Sequence, residues 1–199
     1  MNKKYIPNFL SFFRIAITPV FFFFFISGDM LLHQISPFLF VIASLTDSAD
    51  GYIARKYGYV SSLGKFIDPF ADKFLTAAAF IAFVMLNIVP LWMVIIILIR
   101  DFGTTVMRII WNKEFKTSTS AKIKTTLQMT FISVILGLIF IRDLRISDSI
   151  YNAINAFIYS DVVYFIMLVL TIITVWTLIE YIMAIRKEKT VSKNMCIKN

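Results

Sequence analysis

The sequence predicts an all-α integral membrane protein, a six-transmembrane-helix bundle with both termini cytoplasmic. Three observations lead there. Of the 199 residues, 59% are apolar and only 16% are charged. Several apolar stretches reach the ~20 residues that span a bilayer. The basic residues gather in those segments that six spans would leave on one side, as positive-inside topology requires. The bundle is assigned to residues 1–185 and a basic cytoplasmic tail to residues 186–199, with no internal repeat and no separate soluble domain.

Taken in order, the apolar runs place spans near residues 9–27, 36–56, 66–88, 90–111, 123–141 and 161–185. The first follows Lys3, Lys4 and Arg14 but has no small-residue cleavage site after Phe25, so it is expected to be a retained helix. Pro19 should kink it, and the run from Phe21 to Phe25 is expected to face lipid. Pro37 after Ser36 resembles a capped start for the second span. Pro69 either kinks the third span or begins it. Asn87 and Pro90 mark a tight reversal into the fourth. On this layout Arg142 and Arg145 alone fall outside, and the other 20 − 2 = 18 basic residues lie on the cytoplasmic side. The tail is read as partly disordered and attracted to anionic lipid.

Several function classes drop out. A net charge of +8 without an aromatic RNA-binding motif points to anionic headgroups and phosphorylated substrates, not to nucleic acid. The single cysteine, Cys196, carries no disulfide framework. His33, the single histidine, sits on the expected outer loop without acidic, Cys or His neighbours at ligand spacing, and no metal role is assigned to it. Trp92, Trp111 and Trp176 are read as interface or packing residues.

The chemistry resides in the run Asp47-x-x-Asp50-Gly51-x-x-Ala54-Arg55, followed after eight residues by Gly64-x-x-x-Asp68-x-x-x-Asp72. Carboxylates in apolar surroundings are costly unless paired, and mark a functional site by default. At ~100° per residue, Asp47, Asp50, Gly51 and Ala54 fall within about a 100° arc of one helix, with Arg55 at its edge. Gly64, Asp68 and Asp72 fall within about 80° on the next. Two such faces opposed form one anionic pocket. All-oxygen ligation selects Mg²⁺ or Mn²⁺, especially where substrate phosphates complete the shell. Gly51, Ala54 and Gly64 leave room for close approach, and Arg55 offers a fixed fork for phosphate.

This run resembles the signature of the CDP-alcohol phosphatidyltransferase family at every fixed position. The resemblance implies a six-span bundle, a homodimer, a site facing the cytoplasm of the cell membrane, and displacement of CMP from a CDP-linked partner by an alcohol. It implies that Asp47, Asp50, Asp68 and Asp72 ligate two divalent cations. Asp72 would also accept the proton of the attacking hydroxyl. Gly51, Arg55 and Ser61, together with Asp47, would hold the CDP moiety. Asn8 and Arg14 are candidates either for shaping the nucleotide pocket or for anchoring an interfacial helix.

Further stretches resemble bacterial phosphatidylglycerophosphate synthases: Pro7-Asn8-x-x-Ser11-x-x-Arg14-x-x-x-x-Pro19, Leu63 to Lys73, Lys122-x-Lys124-Thr125-x-x-Gln128 and Glu180-Tyr181. Two positions depart from the pattern, Ser11 where many members have Thr and Ala121 where many have Gly. The implied substrates are CDP-diacylglycerol and glycerol 3-phosphate, with Arg100, Arg108, Lys122 and Lys124 as candidate ligands of the acceptor phosphate; the alternatives are that Arg100 pairs with Asp101 or a neighbouring helix and that Lys122 and Lys124 only mark the cytoplasmic side. The runner-up within the family is a cardiolipin synthase, or an enzyme using serine or inositol phosphate. From a different class, a divalent-cation transporter also places aspartates in a membrane, but spans four to six contain no matching acidic path.

Overall fold

The computed structural model describes residues 6–57, 62–111 and 119–196; side chains are described except at 6–11, 47–57, 62–69, 72, 108–111, 119 and 187–196. Among the described residues seven helices follow in chain order: α1 (Ile6–Ile26), α2 (Met30–Tyr57), α3 (Ser62–Met85), α4 (Leu91–Trp111), α5 (Thr119–Asp143), the short α6 (Asp148–Ile158) and α7 (Asp161–Cys196). The architecture is all-helical. Six helices of 21 residues or more overlap the six apolar runs in sequence, and α6 occupies the connection between the last two. Its apolar residues Ile150, Ile154 and Ile158 recur at helical spacing, and Ile158 is fully buried.

Helix α2 begins earlier than Ser36-Pro37 suggests. The Asp29 carboxylate accepts from the backbone N–H groups of Leu31 (2.8 Å) and Leu32 (3.3 Å), capping a helix that starts at Met30. Pro37 then lies inside the helix, where it cannot donate to the carbonyl of His33. The Ser36 hydroxyl donates to that carbonyl instead, at 2.7 Å. At the other reversal, Asn87 takes a left-handed φ of 57°, with Asn87 N–H donating to Val84 O and Ile88 N–H to Phe83 O, both at 2.9 Å. This pair of bonds closes α3 in a Schellman arrangement, as the Asn-to-Pro spacing leads one to expect. Pro19 and Pro69 lie within continuous helices, and α7 continues through Cys196, past the expected span end at 185.

A chain of phenylalanines runs through the otherwise aliphatic core. Phe21 and Phe25 stack at 5.8 Å; Phe21 meets Phe40 of α2 at 5.6 Å, and Phe25 meets Phe83 of α3 at 5.8 Å. Phe131 of α5 packs on Phe80 and Phe83, each at 6.4 Å. The phenylalanine run is therefore divided, not uniformly turned to lipid. Phe21 and Phe25, one turn apart, are fully buried, whereas Phe23 on the opposite face is 65% exposed.

Apolar side chains cover the outside as well as the core, and a few charged ones are buried. Arg14 and Lys124 are each 1% exposed, while large apolar side chains such as Leu31, Ile99, Phe165 and Ile172 lie on the outer surface. Two stretches, Ser120–Asp143 and Asp148–Arg186, are long and apolar enough to cross a bilayer, with mean hydropathies of 1.7 and 2.6. Shorter apolar stretches occupy Phe12–Ile26, Met30–Thr46 and Lys73–Met85.

Candidate active site

Helical backbone carries both halves of the acidic run toward one connection. Asp47, Asp50, Gly51 and Arg55 belong to the C-terminal half of α2, and Gly64, Asp68 and Asp72 to the N-terminal half of α3. Both groups thus flank the segment 58–61. Their side chains, like those of Asn8 on α1 and Arg108 on α4, lie outside the described residues, and Ser61 does so entirely. What the structure describes is the shell around them.

Arg14 closes that shell from α1. Its Nε donates to the carbonyl of Ala43 at 3.3 Å, one helical turn before Asp47. Its own carbonyl accepts from the Thr18 hydroxyl at 2.7 Å. A guanidinium this deeply buried holds α1 against the segment of α2 that carries the first aspartates.

On the other flank α3, α4 and α5 meet at Asp101. Lys73, the residue after Asp72, donates from Nζ to the Asp101 carbonyl. That carbonyl also accepts from the Thr105 hydroxyl at 2.9 Å. Phe102 packs on Phe74 at 5.7 Å and on Phe70 at 6.5 Å, fixing α3 and α4 at the level of Asp72. The Asp101 carboxylate receives two cations on one oxygen: Arg100 Nη1 at 3.1 Å and Lys124 Nζ from α5. Asp101, Arg100 and Lys124 are all buried. Among the described residues, two cationic side chains thus converge on one carboxylate oxygen.

Among the four basic residues assigned to the acceptor, the structure therefore brings two together. Arg100 and Lys124 converge, while Lys122, two positions from Lys124 and so on another face of α5, is exposed. Asp101, the group that gathers the cations, entered the sequence reading only as the alternative partner of Arg100, a pairing the structure shows; that it also takes Lys124 was not expected. The adjacent acid and base in an apolar helix, Arg100-Asp101, was the available signal, since such a pair at mid-helix needs an internal partner. Lys73 was likewise missed as a bridge, although it directly follows Asp72.

Further around, the Glu180 carboxylate of α7 accepts from Trp176 Nε1 at 2.8 Å and from the Ser120 hydroxyl of α5 at 3.3 Å. Trp176 is thus tied to the site end of the bundle by a polar contact. An open groove of about 590 Å³ runs between α2 and α5, lined by Ser44, Thr125, Thr126, Met129 and Thr130 among others. Ser44 lies one residue short of a turn before Asp47. Thr126 and Thr130 donate to carbonyls of their own helix, at 3.2 and 2.9 Å, leaving their oxygens as acceptors.

The far end of the bundle is separate from all of this. His33 Nδ1 lies 2.5 Å from the Asp143 carboxylate, which also accepts from Arg142 Nε at 2.8 Å. The ring stacks on Phe25 with centroids 4.9 Å apart. Gln34 Nε2 donates to the Asp143 carbonyl at 2.7 Å. His33 does have an acidic partner, then, 110 residues away in sequence and out of reach of any spacing rule. The contact fastens the start of α2 to the end of α5.

The donor chemistry fits hard divalent cations. The four aspartates supply only oxygen, on two helices bordered by Arg14 on one side and by the Asp101 cluster on the other. Among the described residues no cluster of three metal-ligating side chains occurs.

Comparison with known proteins gives the same direction. The profile of the CDP-alcohol phosphatidyltransferase family matches residues 4–185. A CDP-diacylglycerol–glycerol-3-phosphate 3-phosphatidyltransferase of Bacillus subtilis is 37% identical over 146 residues, covering 66% of this chain and 76% of the relative. One of the same name from Rickettsia typhi is 38% identical over 136 residues, covering 67% and 76%. A probable phosphatidylglycerophosphate synthase of Mycobacterium tuberculosis is 34% identical over 134 residues, covering 65% and 64%. With the family match running through nearly the whole bundle, including both acidic helices and the cation cluster, the chain belongs to the CDP-alcohol phosphatidyltransferase family.

Proposed function

We propose that this protein transfers the phosphatidyl group of CDP-diacylglycerol to glycerol 3-phosphate, forming phosphatidylglycerophosphate and CMP as a step of phospholipid biosynthesis. The observation that carries the acceptor assignment is the convergence of Arg100 and Lys124 on one Asp101 oxygen, which gathers two buried cationic side chains at a point suited to a phosphomonoester. The relatives named above carry the same activity in their names.

In this reading the six long helices cross the cytoplasmic membrane, with both termini and the site on the cytoplasmic side. The exposed apolar side chains support it, because an outer surface of this kind is at home in hydrocarbon. A homodimer is part of the same reading. Asp47, Asp50, Asp68 and Asp72 hold two divalent cations, Mg²⁺ or Mn²⁺, which when bound neutralise the diphosphate and polarise the acceptor hydroxyl.

The chain's own residues do the rest. Gly51 and Ala54 admit the nucleotide close to α2, and Asp47, Arg55, Ser61, Asn8 and Arg14 orient CDP. Arg100, Lys124, Lys122 and Arg108 draw in and hold the acceptor phosphate. Asp72 takes the proton of the attacking hydroxyl, whose oxygen forms a bond to the β-phosphorus of the donor, the phosphorus attached to diacylglycerol, as the bond to CMP breaks. The groove between α2 and α5 offers the lipid donor a lateral path, with hydroxyl oxygens along one wall.

The test is an acceptor panel. Purified protein with CDP-diacylglycerol and Mg²⁺ or Mn²⁺ should release CMP with glycerol 3-phosphate and not with phosphatidylglycerol, serine or inositol phosphate. CMP release with any of those three alone would reassign the acceptor. Cation flux in proteoliposomes without CMP release would point to transport instead.

A further inference from the structure

We propose that Gln128 is a specificity-determining residue of the acceptor site, donating from its amide, beside Arg100 Nε, to an oxygen of the incoming phosphomonoester. This rests on the acceptor assignment just made. Gln128 is 3% exposed, yet its Nε2 has no hydrogen-bond partner. Arg100 Nε is the second such donor, on a side chain 9% exposed. Buried amide and guanidinium donors are normally satisfied, and those that are not call for a missing partner.

Their positions give that partner a place. Gln128 lies one turn beyond Lys124 on α5, on the face from which Lys124 reaches Asp101. Arg100 precedes Asp101 on α4. Among the described residues no Cα of α4 comes within 8 Å of one in α5, so the two helices are joined here by side chains across a gap. Both unpartnered donors sit next to this contact in the chain, Arg100 Nε on the residue before Asp101 and Gln128 Nε2 one turn from Lys124, whose side chain shares one carboxylate oxygen with Arg100. An unpartnered amide N–H and guanidinium N–H beside two cationic side chains recognise an oxyanion. A phosphomonoester, with its two negative charges and three terminal oxygens, meets that demand better than a diester or an uncharged alcohol.

The experiment compares wild type with Gln128→Leu and with the near-isosteric Gln128→Glu. Inorganic phosphate should inhibit the wild type competitively against glycerol 3-phosphate. In Gln128→Leu both the KM for glycerol 3-phosphate and the inhibition constant for phosphate should rise at least about tenfold, with the KM for CDP-diacylglycerol unchanged. Gln128→Glu, which places a carboxylate against the phosphate, should be impaired further. Without ligand, Gln128→Leu should melt at or above the wild-type temperature, because it removes a buried donor that nothing satisfies. A purely structural glutamine would instead lower the melting temperature and leave both constants alone, and that result overturns the proposal. Wild-type protein with no glycerol 3-phosphate-dependent CMP release would sink the acceptor assignment itself, and the role of Gln128 with it.

Discussion

Lys124 of α5 bonds to the carboxylate of Asp101 on α4 across a gap that the two backbones do not close within 8 Å among the described residues. Lys73 reaches the carbonyl of the same aspartate from α3. Three helices are therefore indexed to one residue, at the level of the second pair of metal-ligand candidates.

That arrangement makes the two ends of the ion pair unequal. Asp101→Leu strands Arg100 and Lys124 together, whereas Lys124→Met leaves Asp101 still paired with Arg100. Removing one partner from a buried pair costs about 3–5 kcal/mol where the other charge is left uncompensated. Asp101→Leu should approach that figure, and Lys124→Met should fall clearly below it. Denaturant unfolding in detergent micelles measures both, and equal losses would contradict the shared-carboxylate geometry.

Lys122 and Lys124 should separate in kinetics as they do in burial. Lys124→Met removes a buried charge beside the acceptor, and should raise the KM for glycerol 3-phosphate at least about tenfold. Lys122 is exposed, and Lys122→Met should change it less than about fivefold, as for a solvent-screened contact. Saturation curves at fixed CDP-diacylglycerol decide this; the reverse order would relocate the phosphate to the exposed face of α5.

His33 should matter to stability and not to turnover. His33→Ala removes a hydrogen-bonded partner from Asp143 and a stacked ring from Phe25, at the end of the bundle away from the aspartates. The expected loss is about 1–3 kcal/mol, the cost of leaving a buried polar partner unmatched. Thermal melting and steady-state kinetics on the same preparation test it, and a changed acceptor KM with unaltered stability would count against a structural role.

How much of this was legible beforehand depended on range. Spacing within one helix was readable: the acidic run falls on α2 and α3 as expected, and the Asn87 reversal forms where Asn and Pro announced it. Contacts between distant segments were not. Nothing local to His33 indicates Asp143, and nothing local to Lys124 distinguishes it from Lys122 until α4 is packed alongside. The start of α2 was misread because the Ser36-Pro37 pair mimics a helix start. The actual cap is Asp29, and the Ser36 hydroxyl instead serves the carbonyl that Pro37 cannot. The phenylalanine run misled for a similar reason, since composition alone cannot divide Phe21 and Phe25 from Phe23 without knowing which face meets α2 and α3.

Most direct for the central claim is the incorporation of labelled glycerol 3-phosphate into lipid by purified protein supplied with CDP-diacylglycerol, run with Mg²⁺ or Mn²⁺, with EDTA, and with Asp68→Asn and Asp72→Asn. Label should enter phosphatidylglycerophosphate in step with CMP release, stop with EDTA, and fall at least about 100-fold in each variant while helical circular dichroism is retained. Full incorporation by Asp72→Asn, or none by wild type under either metal, would contradict the account.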